Sequence, residues 1–176
     1  MSAPSAPVVT GLFHVAIKSN DIDATNAFYE KVMGLHCAPR PDFGFPGSWL
    51  AVPTPSGDAI IHIYAGGPVM VADGGKRYDN TGAIDHLAIS ALGFDAFRER
   101  FKAFGLPWRE NVVPGTPFWQ IFVYDPSGVQ LEITFHAAAE GRPVPQIPEA
   151  MQYMPGVRFF DAKVYDRLKA KLAVPA

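Results

Sequence analysis

The chain has a single cysteine, Cys37, among 176 residues, so no disulfide forms within it and burial and hydrogen bonding must hold the fold. An excess of charge of one sign is missing too: 15 Lys and Arg stand against 17 Asp and Glu, a formal net charge of −2, with only a mild basic cluster near the C-terminus. Such a balance gives no footprint for a polyanion, and nucleic acid is not an expected partner. No stretch reaches the roughly 18 consecutive apolar residues that a membrane helix needs. The Ser/Ala/Pro-rich start, residues 1–9, has neither a basic opening nor an apolar core of signal-peptide length. Together these absences predict a soluble, cytoplasmic protein without a membrane partner. What is present, 48% hydrophobic residues, suffices for a sizeable core in one compact domain built from two halves.

The halves repeat. From His14 to His62 is 48 positions and from His86 to Glu132 is 46, while His14 to His86 is 72 and His62 to Glu132 is 70. Locally, His14-Val15-Ala16-Ile17 is matched by His86-Leu87-Ala88-Ile89. Residues 13–17 alternate as a strand, Phe13, Val15 and Ile17 pointing one way and His14 and Ala16 the other. A helix follows, with Asp21 as N-cap, apolar Ile22, Ala24, Ala27, Phe28 and Val32, and Gly34 as its stop. Strands are predicted at 48–52 and 59–64, and the glycine- and charge-rich stretch 66–82 reads as a linker. The order then recurs: a strand over 84–90, a helix over 94–104 with Phe94, Phe97, Phe101 and Phe104 on one stripe and Gly105 as stop, and strands over 108–112, 118–124 and 129–135. Asp125-Pro126-Ser127-Gly128 joins the last two as a hairpin. Beyond His136 a proline-punctuated arm leads to a helix near 162–172, an arm expected to wrap the same domain or a neighbour.

His14, His62, His86 and Glu132 are all residue types that bind a divalent metal, and each lies on its strand facing away from its flanking neighbours. In a curved sheet with helices outside, those faces line a concavity where the four can converge. A buried, ionised Glu132 is costly without a compensating cation, which a metal supplies. Any one of the histidines is also readable as an ordinary core or surface residue, and His62 as a residue beside the metal or against the substrate; the repeat favours the set as ligands. His36 reads as an exposed loop residue, His136 as a candidate proton carrier at the cavity mouth, and Lys18 as a partner for an anionic substrate. Phe43, Phe45 and Trp49, with Phe118 and Trp119, fit either a substrate wall or a barrel plug.

Over about residues 11–136 the chain resembles the vicinal oxygen chelate superfamily, which includes glyoxalase I, methylmalonyl-CoA epimerase, extradiol dioxygenases, fosfomycin-resistance proteins and bleomycin-resistance binding proteins. The resemblance rests on residues 13–17, on 24–35 (Ala-Thr-Asn-Ala-Phe-Tyr-Glu-Lys-Val-Met-Gly-Leu), on His86-Leu87-Ala88 and on 125–132 (Asp-Pro-Ser-Gly-Val-Gln-Leu-Glu). It implies an α+β fold of two βαβββ modules whose mixed sheets curve into an open barrel with helices outside, commonly assembled across a homodimer. The division it implies is a flexible N-terminus at 1–10, a glyoxalase-like domain at 11–136 with modules 11–66 and 82–136, and an arm with helix at 137–176. It further implies one divalent ion that chelates two neighbouring substrate oxygens. His14, His86 and Glu132 match the shared ligand positions, and His62 falls where glyoxalase I has a glutamate and the epimerase a glutamine. Three imidazoles and one carboxylate suit Zn, Ni, Co or Fe(II) better than Mg or Ca.

Four ligands resemble the isomerase and epimerase branch, so a metal-dependent lyase or isomerase acting on a small molecule is the leading expectation, with Glu132 or His62 moving a proton. An Fe(II) ring-cleaving dioxygenase on His14, His86 and Glu132 is the alternative. It loses weight because Phe122 stands where those enzymes carry a tyrosine, ten residues before the glutamate. A drug-sequestering protein of the bleomycin-resistance kind is a third reading, and the intact ligand set argues against it. Fosfomycin-type thiol transfer is weakened because no serine-rich loop lies between Asn111 and Trp119.

Overall fold

The computed structural model describes residues 13–53, 59–66 and 81–172. The expected flexible start at 1–10 and most of the linker at 66–82 lie outside those residues. In the first module, β1 (His14–Lys18) leads to α1 (Ile22–Ala27), a π-helical turn (Phe28–Val32), β2 (His36–Ala38), β3 (Gly47–Val52) and β4 (Ala59–Tyr64). The second contains β5 (Leu87–Ser90), α2 (Phe94–Phe104), β6 (Trp108–Val112), β7 (Phe118–Tyr124) and β8 (Gln130–His136). Each module folds its strands into a four-stranded sheet in the same spatial order: β1-β4-β3-β2 and β5-β8-β7-β6. In both, the first strand pairs in parallel with the last and the other pairs are antiparallel, giving two separate mixed sheets rather than one closed barrel.

A parallel pair needs a crossover, and the helix after the first strand supplies it. Asp21 caps α1, its Oδ1 accepting from the Ala24 amide at 3.0 Å. The helix widens into the π turn and ends at Gly34, whose φ of +77° a side chain rarely adopts. Phe28, Tyr29 and Val32 are buried against Leu50, Ile61 and Ile63, and Phe94 and Phe101 of α2 against Trp119, Ile121, Leu131, Ile133 and Phe135, all in one continuous core. The Arg100 guanidinium donates to the Val32 carbonyl at 3.0 Å, tying the two crossovers together.

Several expectations are corrected. Phe13 does not join Val15 and Ile17 in the core but is 86% exposed, because nothing among the described residues covers that end of an edge strand. The strand expected from residue 84 begins only at Leu87, so His86 stands just ahead of it. His36 is exposed but belongs to β2, not to a loop.

The arm wraps its own chain. A short helix, α3 (Ala137–Glu140), places the Glu140 carboxylate on the amides of Gly93 and Phe94, both at 2.9 Å. It thereby caps α2, whose N-cap glycine has no side chain to do so. After a 3₁₀ turn (Glu149–Met151), Gln152 bridges Glu110 in parallel and the Tyr153 amide donates to the Glu110 carbonyl at 2.8 Å. The final helix, α4 (Ala162–Leu172), buries Tyr165 and Leu168, and the Tyr165 hydroxyl donates to the Tyr124 carbonyl at 2.6 Å.

Asp125, fully buried in the β7–β8 turn, joins the modules. Its Oδ1 accepts from the Ser127 and Val129 amides at 2.8 and 2.9 Å, and its Oδ2 from the Tyr29 hydroxyl of the first module at 3.3 Å. Burial pushes its carboxyl up to about 6, against the pull of those donors. A folded-state value above the ordinary 3.8 means the folded protein holds this proton more tightly, so Asp125 makes folding less favourable as pH rises from about 4 to about 6. Chemical denaturation across that window is expected to show stability falling less, or rising more, with pH for Asp125→Asn than for the wild type. Asp125→Ala, which strands three donors, is expected to lose about 2 kcal/mol at neutral pH.

Candidate metal centre

The polar side chains occupy the sheet faces turned away from the helices. In β4, Ile61 and Ile63 enter the core while His62 points to the opposite face, where its parallel partner is Ala16 and its antiparallel partner Trp49. His14, two residues before Ala16, shares that face, and the imidazoles of His14 and His62 stack with centroids 4.1 Å apart and planes 16° from parallel. Trp49 stacks on the other side of His62 at 4.6 Å. The Tyr64 hydroxyl holds His62 Nδ1 at 3.2 Å, which leaves Nε2 for a ligand. Burial, followed by the neighbouring His14 and Arg40, lowers the pKa of His62 from its ordinary 6.5 and favours the neutral ring with an available lone pair.

In the second module, Leu131, Ile133 and Phe135 are buried, while Glu132 and Thr134 point the other way beside Ala88 and Phe122. Glu132 Oε2 lies 3.2 Å from His86 Nε2. Two donors bound side by side to one ion at about 2.1 Å are about 3 Å apart, so this spacing fits a shared metal. Both ligand candidates are oriented from behind. The Thr134 hydroxyl donates to Glu132 Oε1 at 2.7 Å, and the Asp85 carboxylate holds His86 Nδ1 at 2.6 Å. A carboxylate behind a ligating imidazole fixes its tautomer and raises its basicity.

The four residues singled out from the sequence therefore fall into two pairs, His14 with His62 and His86 with Glu132, on different sheets. Among the described residues no three His, Cys, Asp or Glu side chains converge tightly enough to hold a metal ion. The donor types of the two pairs, imidazole and carboxylate, are ones that a divalent ion accepts. Asp85 and Thr134 escaped the sequence reading although their signal is local: Asp85 adjoins His86, and Thr134 follows Glu132 by two, on the same face of β8.

The remaining candidates sort differently. His136 caps α3, its Nδ1 accepting the Ala138 amide at 3.3 Å, and its ring packs edge-on against Phe118. Lys18 lines a cavity of about 420 Å³ between the modules, together with Val15, Ile84, Leu87 and Val129. Trp119 belongs to the core, edge-on to Phe94, and not to a substrate wall. Phe43, Phe45 and Trp49 cluster beside His62, with the Arg40 guanidinium 4.9 and 5.0 Å from the two phenylalanine rings.

A duplicated βαβββ unit with imidazoles and a carboxylate on the uncovered faces of its sheets defines the vicinal oxygen chelate class. The chain belongs to the Glyoxalase/Bleomycin resistance protein/Dioxygenase superfamily, whose model matches residues 11–133. No curated protein matches it in sequence. Among solved structures it is similar to a Bacillus anthracis protein assigned to the glyoxalase family, with 20% identity and a TM-score of 0.58 over 74% of this chain and 98% of that one. It is also similar to the fosfomycin resistance protein FosX of Listeria monocytogenes, with 20% identity and a TM-score of 0.55 over 73% of this chain and 94% of that one. A variant of that FosX was crystallised with Mn(II) and a dihydroxypropylphosphonic acid. Identities this low establish a common fold. No helix among the described residues is long and apolar enough to cross a membrane.

The stacked pair makes one direct prediction for metal-free protein. The His62 ring is expected to titrate below 6.5 in an NMR pH series, and His14→Ala, which both removes the neighbouring charge and opens the site to water, is expected to move it upward. A wild-type midpoint at or above 6.5 would contradict the described packing.

Proposed function

We propose that the protein is a metal-dependent lyase or isomerase of glyoxalase type, acting on a small substrate with two neighbouring oxygens. On this reading it works as a homodimer in which His14 and His62 of one copy and His86 and Glu132 of the other hold one divalent ion, Zn, Ni, Co or Fe(II). The observation that supports it most directly is the division of four oriented donors into two complementary pairs. When bound, the ion supplies Lewis-acid polarisation of the chelated substrate oxygens.

The chain's own groups do the rest. Glu132, oriented by the Thr134 hydroxyl on Oε1, is on this reading both a ligand and the carboxylate that takes a proton from the substrate carbon and returns it. His62, kept neutral and held at Nδ1 by Tyr64, offers Nε2 as a ligand or as a second proton acceptor. The aromatic cluster of Phe43, Phe45 and Trp49 excludes water beside it, and the buried Trp49 Nε1 and Arg40 Nε, unpaired among the described residues, suit an oxygen-rich substrate. The same aromatic wall favours a second reading, an Fe(II) dioxygenase for catechols. Turnover of catechols that stops when oxygen is removed would select it over the isomerase.

A mixing experiment tests the shared site. His14→Ala/His62→Ala and His86→Ala/Glu132→Ala proteins each lack one half of every centre, so neither alone is expected to bind Co(II) tightly. A heterodimer re-formed from the two carries one intact centre and one empty one, and is expected to restore about half the wild-type stoichiometry by Co(II) absorption titration. No recovery in a verified heterodimer would refute the division of ligands between copies.

A further inference from the structure

We propose that Tyr153, carried in by the C-terminal arm, is a substrate-contacting residue whose hydroxyl donates a hydrogen bond to a substrate oxygen beside the His86–Glu132 pair. This deepens the metal-dependent reading above and rests on it. Tyr153 lies beyond residues 11–133, which the superfamily model covers, so its presence at the site is a property of this chain's arm.

Its placement is over-determined. The backbone is pinned where Gln152 bridges Glu110 and the Tyr153 amide donates to the Glu110 carbonyl at 2.8 Å. From there the phenol ring lies flat on Phe122, centroids 3.7 Å apart and planes 11° from parallel. Phe122 is the cross-strand partner of Glu132, and its ring meets His86 edge-on at 6.0 Å. The tyrosine therefore stacks on the one residue that both faces Glu132 across the strands and meets His86.

The hydroxyl is also polarised in one direction. Tyr124 donates to Gln130 Oε1 at 2.7 Å, which fixes the amide, and Gln130 Nε2 then donates to the Tyr153 oxygen at 3.1 Å. That oxygen is an acceptor within the chain, and its own hydrogen has no acceptor among the described residues. A relay ending in an uncommitted O–H, two residues along β8 from Glu132, is an oriented donor awaiting an acceptor. A cavity of about 170 Å³ opens there, lined by Asp85, Gln130, Tyr153 and Arg158 among others. Four of its nine lining residues, Tyr153, Gly156, Val157 and Arg158, come from the arm, and its link to the candidate ligands is Asp85, which holds His86 Nδ1. The ligand class it suits is a small molecule with adjacent oxygens, one of which becomes anionic on binding.

Tyr153→Phe retains the ring on Phe122 and removes only the donor. Co(II) titration of the two proteins, followed by absorption titration of the Co(II)-loaded forms with 4-nitrocatechol as a two-oxygen probe, separates the roles. Equal Co(II) affinity with about tenfold weaker catechol binding in Tyr153→Phe is the expected result, the size of one hydrogen bond to a charged oxygen. Equal Co(II) affinity with catechol binding equal within about twofold would overturn the role of Tyr153 while leaving the metal reading intact. Failure of the wild type to bind Co(II) at all would overturn the metal reading and this role with it.

Discussion

The parallel pairing of the first and last strand of each module is the constraint on which the rest of the structure depends. It requires a crossover, the crossover is a helix, and the helix covers one face of the sheet and leaves the other bare. With one face committed to the core, register is no longer free. A one-residue slip of β4 would turn His62 toward the core and Ile61 and Ile63 to the opposite face, and the same slip of β8 would do so for Glu132 against Leu131 and Ile133. The apolar residues thus hold the polar ones in place, and the partnerships of Ala16 with His62 and of Ala88 with Glu132 follow from a register that hydrophobic burial sets.

This is also why so much was legible in advance. Alternation along a strand and the Phe94–Phe101–Phe104 stripe along a helix are local consequences of burial, and they locate α2, β6 and β7 to the residue. Parity says which face a side chain takes, but it does not say whether anything stands opposite. Phe13 has the right parity for the core but is 86% exposed, touching only the edge of the His14 ring among the described residues, and Phe118 and Trp119 read as one aromatic patch although adjacent strand residues must diverge. Nor does parity measure how far apart two sheets carry their polar faces. The repeat brings His14 to His62 and His86 to Glu132, whereas the expectation that all four converge is a statement about packing between modules, on which strand periodicity is silent.

Tyr153 marks the far limit of sequence reading. No spacing relates it to Phe122, and the arm that carries it has no period. Its position is set by the parallel bridge of Gln152 to Glu110, itself held by a buried carboxylate that Arg98 grips at 2.5 and 2.8 Å and Trp108 at 2.7 Å. The arm also caps α2 through Glu140, so the segment outside the repeat completes the second module's secondary structure as well as its polar face. The modules thereby reach a similar arrangement by different means. In the first, Trp49 from a neighbouring strand lies flat on His62; in the second, a ring from outside the sheet lies flat on Phe122.

The two pairs differ in charge in a way that bears on how a shared centre would behave. The second-module pair sets one imidazole between two carboxylates, Asp85 and Glu132, whereas the first-module pair stacks two imidazoles near the Arg40 guanidinium. An acidic half and a basic half attract one another before any ion arrives, which favours pairing of unlike halves over like ones. A divalent ion adds the converse requirement: it needs the imidazoles neutral and the carboxylate ionised, the state toward which burial already drives His62. If each copy contributes only two donors, neither copy alone binds the ion strongly. Metal occupancy and association are then linked by mass action, each tightening the other by the same factor. Such a centre is occupied only in the assembled protein, and the chelating chemistry is confined to the state in which both modules enclose the substrate.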